Sequence, residues 1–313
     1  MKNSYKKTLI FIILIVLFSI SLYFSLFYGV DTDYKNIILS YIRIPAIIKA
    51  VIAGSSLALA GMFLQAVSKN PLADPYLTGL SSGAGLGIVI SILYFNSINY
   101  SLFGFIGALI VATIVIALSG FSKFSITKLI LIGLAINIFT SSIISFLILT
   151  NADKAYPMTL ILSGGFNSAE ISNKVLVGLF CLVVLISAIF IPKLNLLRLD
   201  SKLTFSSEKE ANKYNIIFVI LSAFLTSISV FAAGILGFVG IVSPLLAKMF
   251  CGQDYRVLFF TNILLGSIIL LTANILSTQL IYPLQVPLGV VVAFIGAPIF
   301  IFFLLKKGGI FND

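Results

Sequence analysis

KNPLADPYLTGLSSGAGLG, Lys69 to Gly87, interrupts a chain of long apolar runs with two prolines, a lysine and an aspartate, and then resumes on glycine. Pro71 and Pro75 each lack an N–H and clash with the preceding turn, so neither continues a helix. Lys69, Asn70 and Asp74 need water or polar partners. The stretch therefore reads as a tight polar turn between two helices. Beyond it, Gly79, Gly83 and Gly87 recur at spacing four; before it, Gly54, Ala58 and Gly61 place small residues along the preceding helix. Small residues at such spacing let membrane helices approach backbone to backbone. The local reading is a closely packed helical hairpin.

Working outward, the 313 residues are 60% hydrophobic and 10% charged, and the mean hydropathy is +1.17. A soluble domain carries about 25% charged residues. Apolar runs long enough to cross a bilayer as helices, about 18 residues or more, repeat from end to end. They are continuous rather than alternating, which excludes a membrane β-barrel. The fold class is an all-α polytopic membrane protein, one domain over residues 1–313. About ten transmembrane helices are expected, near 8–30, 44–67, 76–95, 101–120, 127–150, 172–192, 214–233, 238–250, 257–276 and 286–305. The first run is too long for a signal peptide and lacks a small-residue cleavage site.

The chain has no His and two cysteines, Cys181 and Cys251, without metal-type spacing. No metal, disulfide or cofactor is expected. No GxxxxGK[ST] motif occurs, so any ATP is bound by another chain. The net charge of +10 bears on membrane orientation rather than on nucleic acid. With the N-terminus inside, 15 of the 20 Lys and Arg residues face the cytoplasm. Lys35, Arg43, Lys49, Lys154 and Lys174 fall on or near the outer side. That bias supports an even number of crossings, both termini cytoplasmic and a multi-pass protein of the cytoplasmic membrane. The longest polar interval, Lys193 to Lys213, is then a cytoplasmic loop, either a docking surface or a solvated connection. On the fifth helix Gly133, Asn137, Ser141 and Ser145 form one small, polar face. Polar groups in a bilayer face protein or water, so the stripe either lines a pathway or packs against a neighbouring helix.

Arg43 to Gly87, RIPAIIKAVIAGSSLALAGMFLQAVSKNPLADPYLTGLSSGAGLG, resembles a signature of the FecCD-like family. These are the permease subunits of iron–siderophore, haem and cobalamin ABC importers. GILGFVGIVSPLLAKMFCGQDYRVL (Gly234–Leu258) and VPLGVVVAFIGAPIFIFFLL (Val286–Leu305) resemble it too, with shorter echoes in KLILIGLAIN (Lys128–Asn137) and PKLNLL (Pro192–Leu197). The resemblance runs through almost the whole chain in order. It implies a non-catalytic subunit with ten helices, paired with a second permease copy or paralogue. Two cytoplasmic ATPase subunits and an extracytoplasmic substrate-binding protein complete the assembly, with membrane lipid around it.

Carried over residue by residue, the resemblance makes Arg43 a docking contact for the binding protein. The alternative is a topological or headgroup-binding role. The family's second docking arginine falls on Ala46 and its third basic position on Thr278, so docking is expected to be less charge-driven here unless Lys49 or another residue compensates. The coupling segment for the ATPase falls on Leu199, Asp200, Ser201, Lys202 and Thr204, where only Leu199 matches the family pattern. The cytoplasmic gate falls on Ser125 and Thr127, and Asn137, Ser141 and Ser145 become pathway candidates. A different class, an ion-coupled secondary transporter, would place ionisable residues in mid-membrane. Lys49 is the one such case. An intramembrane enzyme lacks support, since no helix carries paired carboxylates.

Overall fold

The computed structural model describes residues 2–28, 35–95, 99–120, 125–166, 173–198, 208–281 and 284–306. Eleven α-helices of more than three residues occur among them: α1 (Lys2–Phe27), α2 (Ile44–Ser68), α3 (Leu80–Ile90), α4 (Tyr100–Ser119), α5 (Ile126–Thr150), α6 (Ala152–Leu162), α7 (Asn173–Arg198), α8 (Glu208–Ala233), α9 (Val239–Cys251), α10 (Tyr255–Gln279) and α11 (Leu288–Lys306). A π-helical turn, Ile38–Arg43, leads into α2, and another, Ser91–Phe95, ends α3. Seven helices are long and apolar enough to span a membrane, and α3, α9 and α11 are shorter apolar helices. These ten correspond to the ten expected segments.

α6 was not expected. Asp153, Lys154 and Pro157 hide its apolar character, and the sequence between α5 and α7 reads as connection. The expected loop at 193–213 is also shorter than its polarity suggests. α7 runs on to Arg198 and α8 begins at Glu208, so both helices carry polar residues past their apolar spans.

α2 is the central mast. It packs against α7, α8, α9 and α10, and Ala50, Ala53, Ala58, Leu59, Ala60, Met62 and Phe63 are fully buried. Its glycines explain how so many neighbours fit. A Cβ at Gly54 would overlap the Gly266 carbonyl of α10, and one at Gly61 would overlap the Gly240 carbonyl of α9. At the other hairpin, a Cβ at Gly83 would meet Val111 and one at Gly87 would overlap the Phe103 carbonyl, both on α4. Gly79 takes φ +79° against the Gly133 carbonyl of α5. A side chain at any of these positions would force helices apart or strain the backbone.

Polar pairs hold the seams in register. Ser55 and Ser267 share a 2.9 Å hydrogen bond between α2 and α10, and Ser222 of α8 donates to the Ala60 carbonyl at 3.0 Å. Ser243 of α9 donates to Asn262 Oδ1 at 2.9 Å. Each is worth roughly 0.6–2 kcal/mol in a membrane helix bundle. By contrast α1, α5 and α7 expose most of their apolar surface. That is the expected state of faces whose solvent is lipid tails.

Candidate functional site

The turn that opened the sequence reading builds one side of the site. Lys69 closes α2 in the left-handed region, φ 50°. Asn70 Oδ1 accepts from the Leu72 N–H at 2.9 Å, and the Asn70 carbonyl from the Ala73 N–H at 3.1 Å. Pro71 lies inside this turn. Pro75 then starts a short 3-10 helix, Pro75–Thr78. Asp74, expected to need water or a polar partner, is 6% exposed. It sits between the spans, close to Gly240, which has no side chain to displace it. Burial pushes its carboxyl up to about 7, against a hydrogen bond from the Tyr76 backbone that pulls it down.

Two irregular segments, 163–166 and 234–238, close the other sides. Gly164 (φ +78°), Gly234 (φ +75°) and Phe238 (φ 65°) break the chain beside α6, α8 and α9. Their backbone groups satisfy one another. Gly165 N–H donates to the Ala233 carbonyl at 2.9 Å, Leu288 N–H to Gly164 at 3.2 Å, and Gly289 N–H to Ser163 at 2.9 Å. α6 and α11, far apart in sequence, are therefore joined end to end, carbonyls of one to amides of the other. Broken helices are tolerated at membrane depth where the freed groups find protein partners or line a cavity. Both conditions hold here. A cavity of about 590 Å³ lies among Asp74, Tyr76, Ser163, Ile235, Phe238 and Gly289. Its walls are mainly apolar. Asp74 also lines a second cavity, about 270 Å³, beneath Leu129 and Ile130 in the first turns of α5.

The remaining expected residues scatter. Arg43 Nη2 donates to the Tyr28 carbonyl at 3.2 Å and Nη1 to Ser25 at 3.4 Å, so it ties down the end of α1. Lys49 is 5% exposed and donates to the Phe166 carbonyl at 3.1 Å. It faces inward and cannot replace the missing docking arginines. The polar stripe divides. Gly133 packs on Thr78, and the Asn137 amide lies beside Gly79, whereas Ser141 and Ser145 are exposed and hydrogen-bond within α5. Packing thus claims the stripe's first half only. Ser125 is the N-cap of α5, accepting from the Lys128 N–H at 3.4 Å, and Thr127 is exposed. Leu199, Asp200, Ser201, Lys202 and Thr204 lie outside the described residues. Sequence reasoning missed Ser163, Ile235 and Phe238; the one signal was the glycine flanking each break.

Broken helices meeting at a cavity inside an all-helical bundle define a transport-type polytopic membrane protein. The chain belongs to the FecCD transport family, whose profile matches residues 8–306. Among its relatives, the Fe(3+)-citrate import system permease protein YfmE of Bacillus subtilis is 32% identical, over 88% of this chain and 84% of its own. The Fe(3+)-citrate import system permease protein YfmD of the same bacterium is 28% identical over 98% and 97%. The hemin transport system permease protein HmuU of Yersinia pestis is 31% identical over 85% and 82%. A solved metal-chelate type ABC transporter in an inward-facing conformation superposes with a TM-score of 0.85. It is 25% identical, covering 95% of this chain and 99% of its own.

Proposed function

We propose that this chain is the membrane permease subunit of a binding-protein-dependent ABC importer for an iron chelate. The substrate class is ferric citrate, a siderophore complex or haem. The observation that carries the reading is the family match over residues 8–306, joined to an α6–α11 junction that walls a cavity. The relatives named above handle iron complexes, which favours that class over cobalamin. The chain itself performs no chemistry. A second permease copy, two ATPase subunits and a binding protein supply the rest, and nucleotide shifts an inward–outward equilibrium by binding its states unequally. Ser141 and Ser145, exposed on the single chain, face the shared pathway in this arrangement. No observation favours ion-coupled transport, since Lys49 is occupied by a backbone carbonyl.

The test is uptake of ⁵⁵Fe-labelled ferric citrate and of hemin by cells carrying this chain with its neighbouring ATPase and binding protein. Uptake of one of them, abolished by an inactive ATPase and indifferent to collapse of the ion gradient, is the expected result. Uptake that follows the gradient would overturn the reading. Arg43 retains guanidinium N–H groups beyond its two carbonyl bonds and serves as the docking contact. Arg43→Glu should weaken binding-protein capture by about tenfold, as loss of one charge pair does, measured by co-purification. Unchanged capture would leave Arg43 with the end of α1 alone.

A further inference from the structure

Asn195, at the end of α7, is hydrogen-bonded through both groups of its side-chain amide. Its Nδ2 donates to Asp254 Oδ1 at 2.9 Å, and its Oδ1 accepts from the Tyr255 N–H at 2.9 Å. One turn on, Arg198 Nη1 donates to the Gln253 carbonyl at 2.9 Å. Asp254 in turn caps α10 through the Arg256 N–H at 3.0 Å. Leu194 and Leu197, each next to one of these polar residues, are buried. The last turn of α7 is thus fastened by three hydrogen bonds to the turn joining α9 and α10.

What lies at the far end of α9 gives this fastening a use. The helix is 13 residues long, about 20 Å. It starts at Phe238, a bulky residue held at φ 65° in the wall of the 590 Å³ cavity. Along its length it is locked to α2 by the Gly61–Gly240 contact and by Lys248 Nζ donating to Gln65 Oε1 at 2.9 Å. One short, braced helix therefore connects the turn that Asn195 holds to the cavity wall. In sequence Arg198 is followed at once by Leu199, where family resemblance puts the ATPase contact. We propose that Asn195 and Arg198 are positioning residues that carry the motor's movement from the end of α7, through α9, to the cavity wall. The proposal rests on the permease reading above.

A contiguous set of contacts is not by itself evidence of coupling, so the test must read the response rather than the contacts. A reporter cysteine replaces Ile235 in the cavity wall, with the exposed Cys181 changed to Ser. Its maleimide labelling rate is measured in membrane vesicles holding the full complex, with and without ATP and vanadate. With α7 intact, nucleotide should change the rate at least fivefold. Asn195→Leu, and separately Arg198→Met, should reduce that change to less than twofold while ATP hydrolysis per assembled complex stays within twofold. Asn195→Asp, which sets a carboxylate against Asp254, should behave like Asn195→Leu. A nucleotide response that survives all three variants would overturn the proposal alone. So would hydrolysis and response falling together, the mark of a merely structural brace. No nucleotide response in the intact chain would overturn the permease reading and this proposal with it.

Discussion

Asp74 shows how one residue's chemistry depends on what its neighbours lack. A carboxylate in a buried turn is tolerated because Gly240 presents no side chain to it and the Tyr76 amide donates to it. Its burial raises the carboxyl to about 7 from 3.8, so the folded chain holds a proton that the unfolded chain releases above pH 4. Stability from this residue is then full below about pH 4 and lost as pH rises towards 7, by an amount on the order of 4 kcal/mol. Above 7 both states are ionised and the curve flattens. Asp74→Asn keeps the shape and removes the proton. The melting temperature of the detergent-solubilised wild type should fall between pH 4.5 and 7.5, and that of the variant should change far less. Parallel profiles would show that Asp74 is solvated or that another group sets the slope. The sequence marked Asp74 as polar and needing partners; it held no sign that a glycine 166 positions away would make its room.

Among the elements, α6 and α11 are the pair that sequence could not join. α6 is short, about 16 Å, α11 runs for 19 residues, and neither the spacing nor the composition of one points to the other. Their union depends on Gly289, where a Cβ would stand 2.6 Å from the Ser163 carbonyl oxygen. A helix ending in free carbonyls meets one starting with free amides, which satisfies both and aligns their dipoles. Gly289→Ala should push the first turn of α11 away. Amide hydrogen exchange at Leu288 and Gly289 should then speed up at least tenfold, read by mass spectrometry of the peptide spanning them; unchanged exchange would mean the junction absorbs a methyl group. The ten apolar helices were legible because bilayer thickness fixes their length and composition. The seam glycines were legible because close approach admits few residue types. The ends of α7 and α8, α6 itself and the Asn195–Asp254 contact were not, since polar residues at a helix end read as loop and long-range partners leave no local mark.

At the scale of the molecule, the helix directions follow from contacts already described. Arg43 at the start of α2 holds the end of α1, so the two run antiparallel. Lys248 near the end of α9 meets Gln65 near the end of α2, so those run parallel. α11 runs in the same direction as α9, since Gly289 lies beside the Ile235 carbonyl ahead of α9 and Gly296, two turns further on, packs against Phe238 at the start of α9. The start of α1 and the end of α11 therefore lie at one end of the bundle, the end that also carries Lys69. Lys128, Arg198 and Arg256 sit at helix ends joined to it through the inner cavity and the α7–α10 contacts. Lys154, which donates to the Ile92 and Leu93 carbonyls at 3.4 Å, belongs to the opposite end with Arg43. Concentration of lysine and arginine at one end orients a membrane protein with that end in the cytoplasm. Alkaline phosphatase, active only outside, should be inactive when fused at either terminus and active when fused after Lys154. Activity at either terminus would invert the assignment, and with it the side of the membrane on which α7 ends.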